Sequence, residues 1–282
     1  MNEQAQEPGL LPEAETEVLT LLEADVAMHA TERAQLDVQI STAKAYPRSI
    51  QNARNEALEL ATLDEVVAKS CFYLLPRGGK KIEGPSTRLA EIIANSWTNL
   101  RVKGDITSID KQFVTATGTC MDLERNVGFQ CSVKRRITDK YGRRFTEDMI
   151  VVTCNAAIAI ATRNAIFKVV PRALWESIYQ KARLASIGKE GTIKDKRANA
   201  LKQFEERGAT KAQVFKLLDV KGAADIGVDE LVELHGILTA LEEGDTTMDQ
   251  LLNPTTSEPS AGSDSLNQEI KRGDANKNQA AE

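Results

Sequence analysis

The chain has 282 residues, of which 41% are hydrophobic and 27% charged, enough apolar material for one sizeable core and a smaller domain. Its net charge of −5 conceals a segregation: residues 1–68 hold 4 Lys/Arg and 13 Asp/Glu, residues 69–207 hold 26 and 14, and residues 208–282 hold 6 and 14. A basic middle between acidic ends is typical of a polyanion-binding core with flanking protein-interaction segments, although surface charge also varies without function.

The cysteines lack CxxC spacing, which argues against a zinc ribbon and a disulfide framework: Cys71, Cys120, Cys131 and Cys154.

The N-terminal region is acidic. Residues 1–12 lack apolar periodicity and are predicted to be disordered, and they show no basic and apolar signal segment, so we expect a cytoplasmic protein. An acidic amphipathic helix is predicted from Glu13 to about Lys44, ending at Tyr46-Pro47, because a residue before proline avoids the helical region. We expect this helix to pack on the core or on a neighbouring subunit.

Two further helices and a set of strands follow. The helices are predicted from about Ser49 to Tyr73, and from Gly84-Pro85-Ser86 to Trp97 with the proline in the first turn. The apolar period then changes to two, which predicts three antiparallel strands, the last two joined at Glu124-Arg125-Asn126. The strand residues are Val102 and Ile106, then Phe113 to Cys120, then Val127 to Arg136.

Helices dominate the rest of the chain. Met149 to Val170 is apolar but interrupted by polar residues, so it is predicted to be a buried helix and not a membrane span. A helix that begins at Pro171 follows it. The fold class is therefore α+β: an antiparallel sheet of three or four strands packed with long helices, over residues 13–191. Residues 192–252 carry their own capping signals and are predicted to form a small all-helical domain, before a disordered tail at residues 253–282.

Few residues suggest catalysis. His29 and His235 are the only histidines, and neither has metal-ligand spacing around it, so we expect no metal, no cofactor and no enzyme. A two-metal nuclease remains a weak alternative, since carboxylates are present without informative spacing. The candidates are Glu83, Glu91, Asp105, Asp110 and Asp122.

A glycine-rich segment at residues 78–86 nearly matches a P-loop. Pro85 replaces the phosphate-binding lysine, and Leu74-Leu75-Pro76 is too short for the preceding strand, so ATP hydrolysis is not expected. The segment is interpreted either as a plain loop before a helix or as an anion site with Lys80, Lys81 and Arg88.

The strongest signal for nucleic acid is a basic strand that continues into a basic loop. Cations suit phosphates and flat rings suit unstacked bases, although a basic hairpin is also common as solvated surface. The candidate residues are Lys134, Arg135, Arg136, Lys140, Tyr141, Arg143 and Arg144, and from the following helices Arg163, Lys168 and Arg172. Lys181 and Arg183 add further positive charge.

Several blocks resemble phage and prophage single-strand annealing proteins, the loose group that includes RecT and Redβ. They are residues 77–79 with residues 84–91, Arg163 to Pro171, and the helical end from Phe204 to Leu252. The resemblance implies a sheet crossed by a long helix, a basic groove that holds a DNA strand with its bases exposed, and rings or filaments of subunits. It also implies ATP-independent annealing for homologous recombination, beside a partner exonuclease or the host single-strand-binding protein.

Residues 192–252 are the expected docking site for that partner, so truncation near Gly191 is expected to preserve DNA binding but abolish recombination in cells. The competing expectation is that this end packs on the core. Two other functions remain open: a duplex-binding replication or regulatory accessory protein, and a purely structural phage oligomer. No helix-turn-helix or zinc-finger pattern favours the first, and the basic middle disfavours the second.

Overall fold

The computed structural model describes residues 13–77, 80–139, 141–188 and 192–252. Two compact units are separated between Pro47 and Arg48. In the first unit, helix α1 spans Glu13–Ala45, which confirms the predicted helix. Its described apolar residues Val26, Met28 and Val38 are exposed, so the packing of an apolar face stays a prediction. Residues 1–12 and 253–282, predicted to be disordered, lie outside the described residues.

The unit that begins at Arg48 is an α+β structure, as predicted. Its strands are β1 (Phe72–Arg77), β2 (Lys80–Pro85), β3 (Leu100–Ile109), β4 (Phe113–Asp122) and β5 (Val127–Arg136). Its helices are α2 (Ile50–Ala61), α3 (Glu65–Ser70), α4 (Thr87–Trp97), α5 (Glu147–Val169), α6 (Arg172–Ala185), α7 (Ile193–Glu206), α8 (Lys211–Leu218), α9 (Val228–Glu242) and α10 (Met248–Leu252).

Strands β3, β4 and β5 form the predicted antiparallel sheet, in that order. Asp122 pairs with Val127 across the predicted turn, in which Asn126 has a φ of 54°. Helix α5 packs closely on one face, because a Cβ atom on Gly118 would lie 2.3 Å from the carbonyl of Ala161. That contact fixes which face of the sheet is covered.

Helix α5 is long and apolar enough to cross a membrane by length and composition alone. Within its most apolar window 56% is buried inside the protein, with Ala157 and Ala161 in the core. The prediction of a buried helix agrees with this packing.

Two predicted helix boundaries are wrong. The predicted helix from Ser49 to Tyr73 is two helices followed by strand β1, and Pro85 ends strand β2 while Ser86 caps α4. The β1–β2 hairpin was not predicted, and β1 supplies the strand that the sequence appeared to lack before the glycines. It is stabilised by a distant helix: Phe72 and Leu74 are buried, and a Cβ atom on Gly236 of α9 would lie 2.8 Å from the Leu74 Cβ.

The C-terminal helices have the predicted caps. Thr210 and Gln213 form a capping box at α8, and Thr247 and Gln250 make the same pair of backbone hydrogen bonds at α10. The apolar cluster of these helices includes Leu74 of β1, so residues 192–252 pack against the hairpin. Residues 189–191, which precede this helical end, lie outside the described residues. The division at residue 191 stays a prediction about independent folding.

Candidate nucleic-acid interface

One face of the three-stranded sheet is turned away from α5. Alternation along paired strands places Val114, Ala116 and Val133 against the helix and the intervening residues on the other side. We call this second side the open sheet face. Its members are Arg101, Lys103 and Asp105 of β3, Phe113, Thr115, Thr117 and Thr119 of β4, and Gln130, Ser132, Lys134 and Arg136 of β5. The four β5 residues are all exposed, which makes the edge of this face accessible to a ligand.

A row of hydroxyl groups crosses the centre of the open sheet face. The Thr117 hydroxyl lies 3.3 Å from that of Thr107, at the bulge in β3, and 3.2 Å from that of Ser132. The centre of the open sheet face is therefore polar and carries short side chains.

The cations converge at one end of the open sheet face. Arg136 pairs with Phe113 across the β4–β5 ladder, and the Lys134 Nζ lies 4.4 Å and the Arg136 Cζ 5.5 Å from the centre of the Phe113 ring. Arg144 Nη1 donates to the carbonyl of Asp110 at 3.0 Å, which brings the following loop to the same end. We call Phe113, Lys134, Arg136 and Arg144 the basic sheet end. None of its three cations forms a salt bridge with a described carboxylate.

The β3–β4 turn holds this end in place. Backbone N–H groups of Gln112 and Phe113 each donate to Asp110 Oδ1 at 2.7 Å. These two hydrogen bonds lower the pKa of Asp110, and the nearby Lys134 and Arg144 lower it further. The Asp110 carboxylate therefore stabilises the turn that carries Phe113.

The loop after β5 presents the predicted aromatic and basic residues together. Asp139 accepts from the backbone N–H groups of Tyr141 and Arg143 at 2.8 and 2.9 Å, and from Arg143 Nε at 2.8 Å. The Arg143 Cζ lies 5.4 Å from the centre of the Tyr141 ring, and Tyr141 is 73% exposed. Lys140 lies outside the described residues. The loop supplies an exposed ring, but the charge of Arg143 is partly neutralised.

Arg163, a predicted DNA contact, is in the interior of the protein. Its side chain is 4% exposed, and Nη1 lies 3.2 Å from Asp245 and 3.7 Å from Glu243. Its Cζ lies 4.6 Å from the centre of the Tyr73 ring. Arg163 and these two acidic residues form a buried structural cluster. The charge of Arg163 is therefore not available to a ligand at the surface.

Four further candidates do not join the basic sheet end. Arg135 alternates to the other face of β5, where its Nη2 donates to the Gly244 carbonyl at 2.7 Å. Arg88 pairs with Glu91 at 2.6 Å and Arg172 with Glu176 at 2.8 Å. Lys168 is exposed near Cys131, on the side of the sheet that α5 covers.

The glycine-rich segment also differs from the anion site that it suggested. Lys81 pairs with Glu233 at 2.6 Å, and the side chain of Lys80 lies outside the described residues. The N-terminus of α4 already has a carboxyl partner, since Glu243 Oε1 accepts from the backbone N–H of Thr87 at 2.7 Å. The protein's own carboxylates therefore occupy the positions at which a phosphate was considered.

Sequence reasoning did not name three further residues of the open sheet face, Phe113, Arg101 and Lys103, as candidates. Phe113 was visible as a strand residue, and counting back through the β4–β5 turn would have placed it opposite Arg136. Among the described residues, no three His, Cys, Asp or Glu side chains are grouped to hold a metal ion.

Comparisons with family models, curated proteins and solved structures found no match to this chain. Its own geometry is therefore the ground for a functional hypothesis.

Proposed function

We propose that the protein binds single-stranded DNA on the open sheet face and pairs it with a complementary strand, without ATP, metal or a covalent step. One observation carries the proposal. At the basic sheet end, Lys134 and Arg136 flank an aromatic ring, and no described carboxylate forms a salt bridge with either of them. Cations of this kind neutralise phosphates, and rings accept unstacked bases.

Annealing follows from the division of roles between protein and DNA. Contacts to phosphate position a strand without reading its sequence, so the base edges remain available to a second strand. Watson–Crick pairing then supplies the specificity. The resemblance to single-strand annealing proteins supports the same proposal, and with it a ring or filament of subunits and a partner exonuclease or single-strand-binding protein at residues 192–252.

The test compares ligands directly. We expect gel shifts with a single strand at lower protein concentration than with the same sequence as duplex, and pairing of complementary strands in EDTA without ATP. A preference for duplex would favour a replication or regulatory accessory protein instead. Binding to neither would favour a structural oligomer, and a requirement for hydrolysable ATP would overturn the proposal.

A further inference from the structure

We propose that Phe113 is a stacking platform for one base of the bound strand, with Lys134 and Arg136 placed to take the adjoining phosphates. The inference rests on the proposed function, because it names the residue of the open sheet face that contacts a base. It assigns Phe113 a role that differs in kind from that of its cationic neighbours.

The backbone that carries the ring is held by hydrogen bonds to Asp110. The N–H of Phe113 donates to Asp110 Oδ1 at 2.7 Å, and its carbonyl accepts from the backbone N–H of Asp110 at 2.9 Å. The ladder then places it opposite Arg136. A backbone that is ordered before binding reduces the entropy lost when a base stacks on the ring.

The Phe113 ring does not belong to the hydrophobic core formed by the described residues. Phe113 belongs to none of the three apolar clusters formed by the described residues, and it is only partly buried. On the open sheet face its neighbours are Thr115 on β4 and Lys134 and Arg136 on β5. The two cations lie over the ring, so a base that stacks on it takes their place and their charges move to the adjoining phosphates.

The cations around the ring indicate which kind of ligand binds there. Lys134 and Arg136 both lie within 5.5 Å of one ring centre, so two like charges share it without a salt bridge to a described carboxylate. Their mutual repulsion is relieved when an anion binds between or beside them. A nucleotide provides both the anion and a flat base, and base–aromatic stacking tolerates any sequence.

The experiment separates stacking from charge. Phe113→Leu keeps an apolar side chain but removes the ring, and Phe113→Tyr restores a ring. Phe129→Leu is the matched control, because Phe129 is 43% exposed on the same hairpin but alternates to the other face of the sheet. Full-length variants are compared by thermal melting, then by binding to a single strand that contains 2-aminopurine, over a range of salt concentrations.

We expect Phe113→Leu to weaken binding about 5- to 160-fold, in line with the contribution of one stacked base. The dependence of affinity on salt should be unchanged, and quenching of 2-aminopurine should be reduced. Phe113→Tyr and Phe129→Leu should bind like the parent protein.

Two results overturn the inference alone: a folded Phe113→Leu variant that binds normally, or one whose salt dependence falls, which would make the ring only a support for the cations. If Phe113→Leu is misfolded, loss of quenching in folded Phe113→Tyr overturns it, and retained quenching supports it. A parent protein that does not bind single strands overturns the proposed function as well.

Discussion

The basic sheet end and the surroundings of Arg163 use the same kind of side chain in opposite ways. At the sheet end Lys134 and Arg136 are exposed and form no salt bridge with a described carboxylate. Arg163 is buried between Asp245, Glu243 and the Tyr73 ring, a group that we call the buried arginine cluster. The first arrangement leaves charge available for a ligand, and the second uses it to join α5 to the C-terminal end of α9. A cluster of positively charged residues in the sequence therefore indicates a ligand site only if the folded protein does not pair those residues with its own carboxylates.

The largest expected effect comes from removing residues 192–282. The truncated chain loses Glu243 and Asp245, and with them the apolar cluster that packs on Leu74. Contrary to the expectation from the sequence that truncation near Gly191 preserves DNA binding, we expect this chain to be unfolded or aggregated, because Arg163 would be buried without a counter-charge. Circular dichroism and size-exclusion chromatography provide the check. A chain that ends at Leu252 is the control, and a folded, DNA-binding fragment 1–191 would contradict the expectation.

Arg163→Met should be the most destabilising of the single substitutions discussed. It leaves two buried carboxylates without their cation, so the free energy of unfolding should fall by about 3–5 kcal/mol in urea denaturation. The matched control is Arg172→Met, since an exposed i,i+4 pair contributes about 0–1 kcal/mol. Equal losses from both variants would show that burial does not distinguish the two arginines.

The buried arginine cluster should also make stability depend on pH. Burial raises the pKa of Glu243 to about 7 despite the attraction of Arg163. An unfolded glutamate has a pKa of about 4.3, so between these values the folded protein holds a proton that the unfolded chain releases. The stability that this group contributes is therefore complete below about pH 4.3 and is lost as the pH rises through its folded value.

Raising the pH from 5 to 8 should accordingly reduce the contribution of Glu243 by up to about 3 kcal/mol. Other titrating groups act at the same time, so the measurement is the difference between the parent protein and Glu243→Gln in urea denaturation at each pH. The variant should lack this part of the pH dependence. Parallel curves for the two proteins would contradict the assignment.

Reversing charge at the basic sheet end should affect DNA and not folding. Arg136→Glu with Arg144→Glu is expected to weaken single-strand binding at least about tenfold for all sequences alike, because phosphate contacts carry no sequence information. The melting temperature should barely change. Lys202→Glu with Lys211→Glu changes the net charge equally on exposed parts of the C-terminal helices. If that control pair loses the same affinity, only overall charge matters.

The sequence predicted local structure well and long-range partners poorly. The three-stranded sheet, α5 and the C-terminal caps follow from periodicity and end signals within a few residues. The β1–β2 hairpin depends on Gly236, more than 150 residues away, so the pattern around Tyr73 was extended as a helix. Arg163 was assigned to DNA for the same reason, because Glu243 and Asp245 are distant in the chain. The exposure of Lys134 and Arg136 was predicted correctly, because the alternation of residues along one strand is enough to show which side chains face away from the core.

The proposed function requires the phosphates of single-stranded DNA to bind Lys134 and Arg136 of the open sheet face, which form no salt bridge with a described carboxylate. Fluorescence anisotropy of a labelled oligonucleotide over a series of salt concentrations tests it most directly, with the parent protein and Lys134→Gln/Arg136→Gln. Log affinity should fall linearly with log salt, and the double variant should lose about 0.7 of slope for each phosphate contact removed, about 1.4 in all. An unchanged slope in the folded variant would place the DNA elsewhere on the protein.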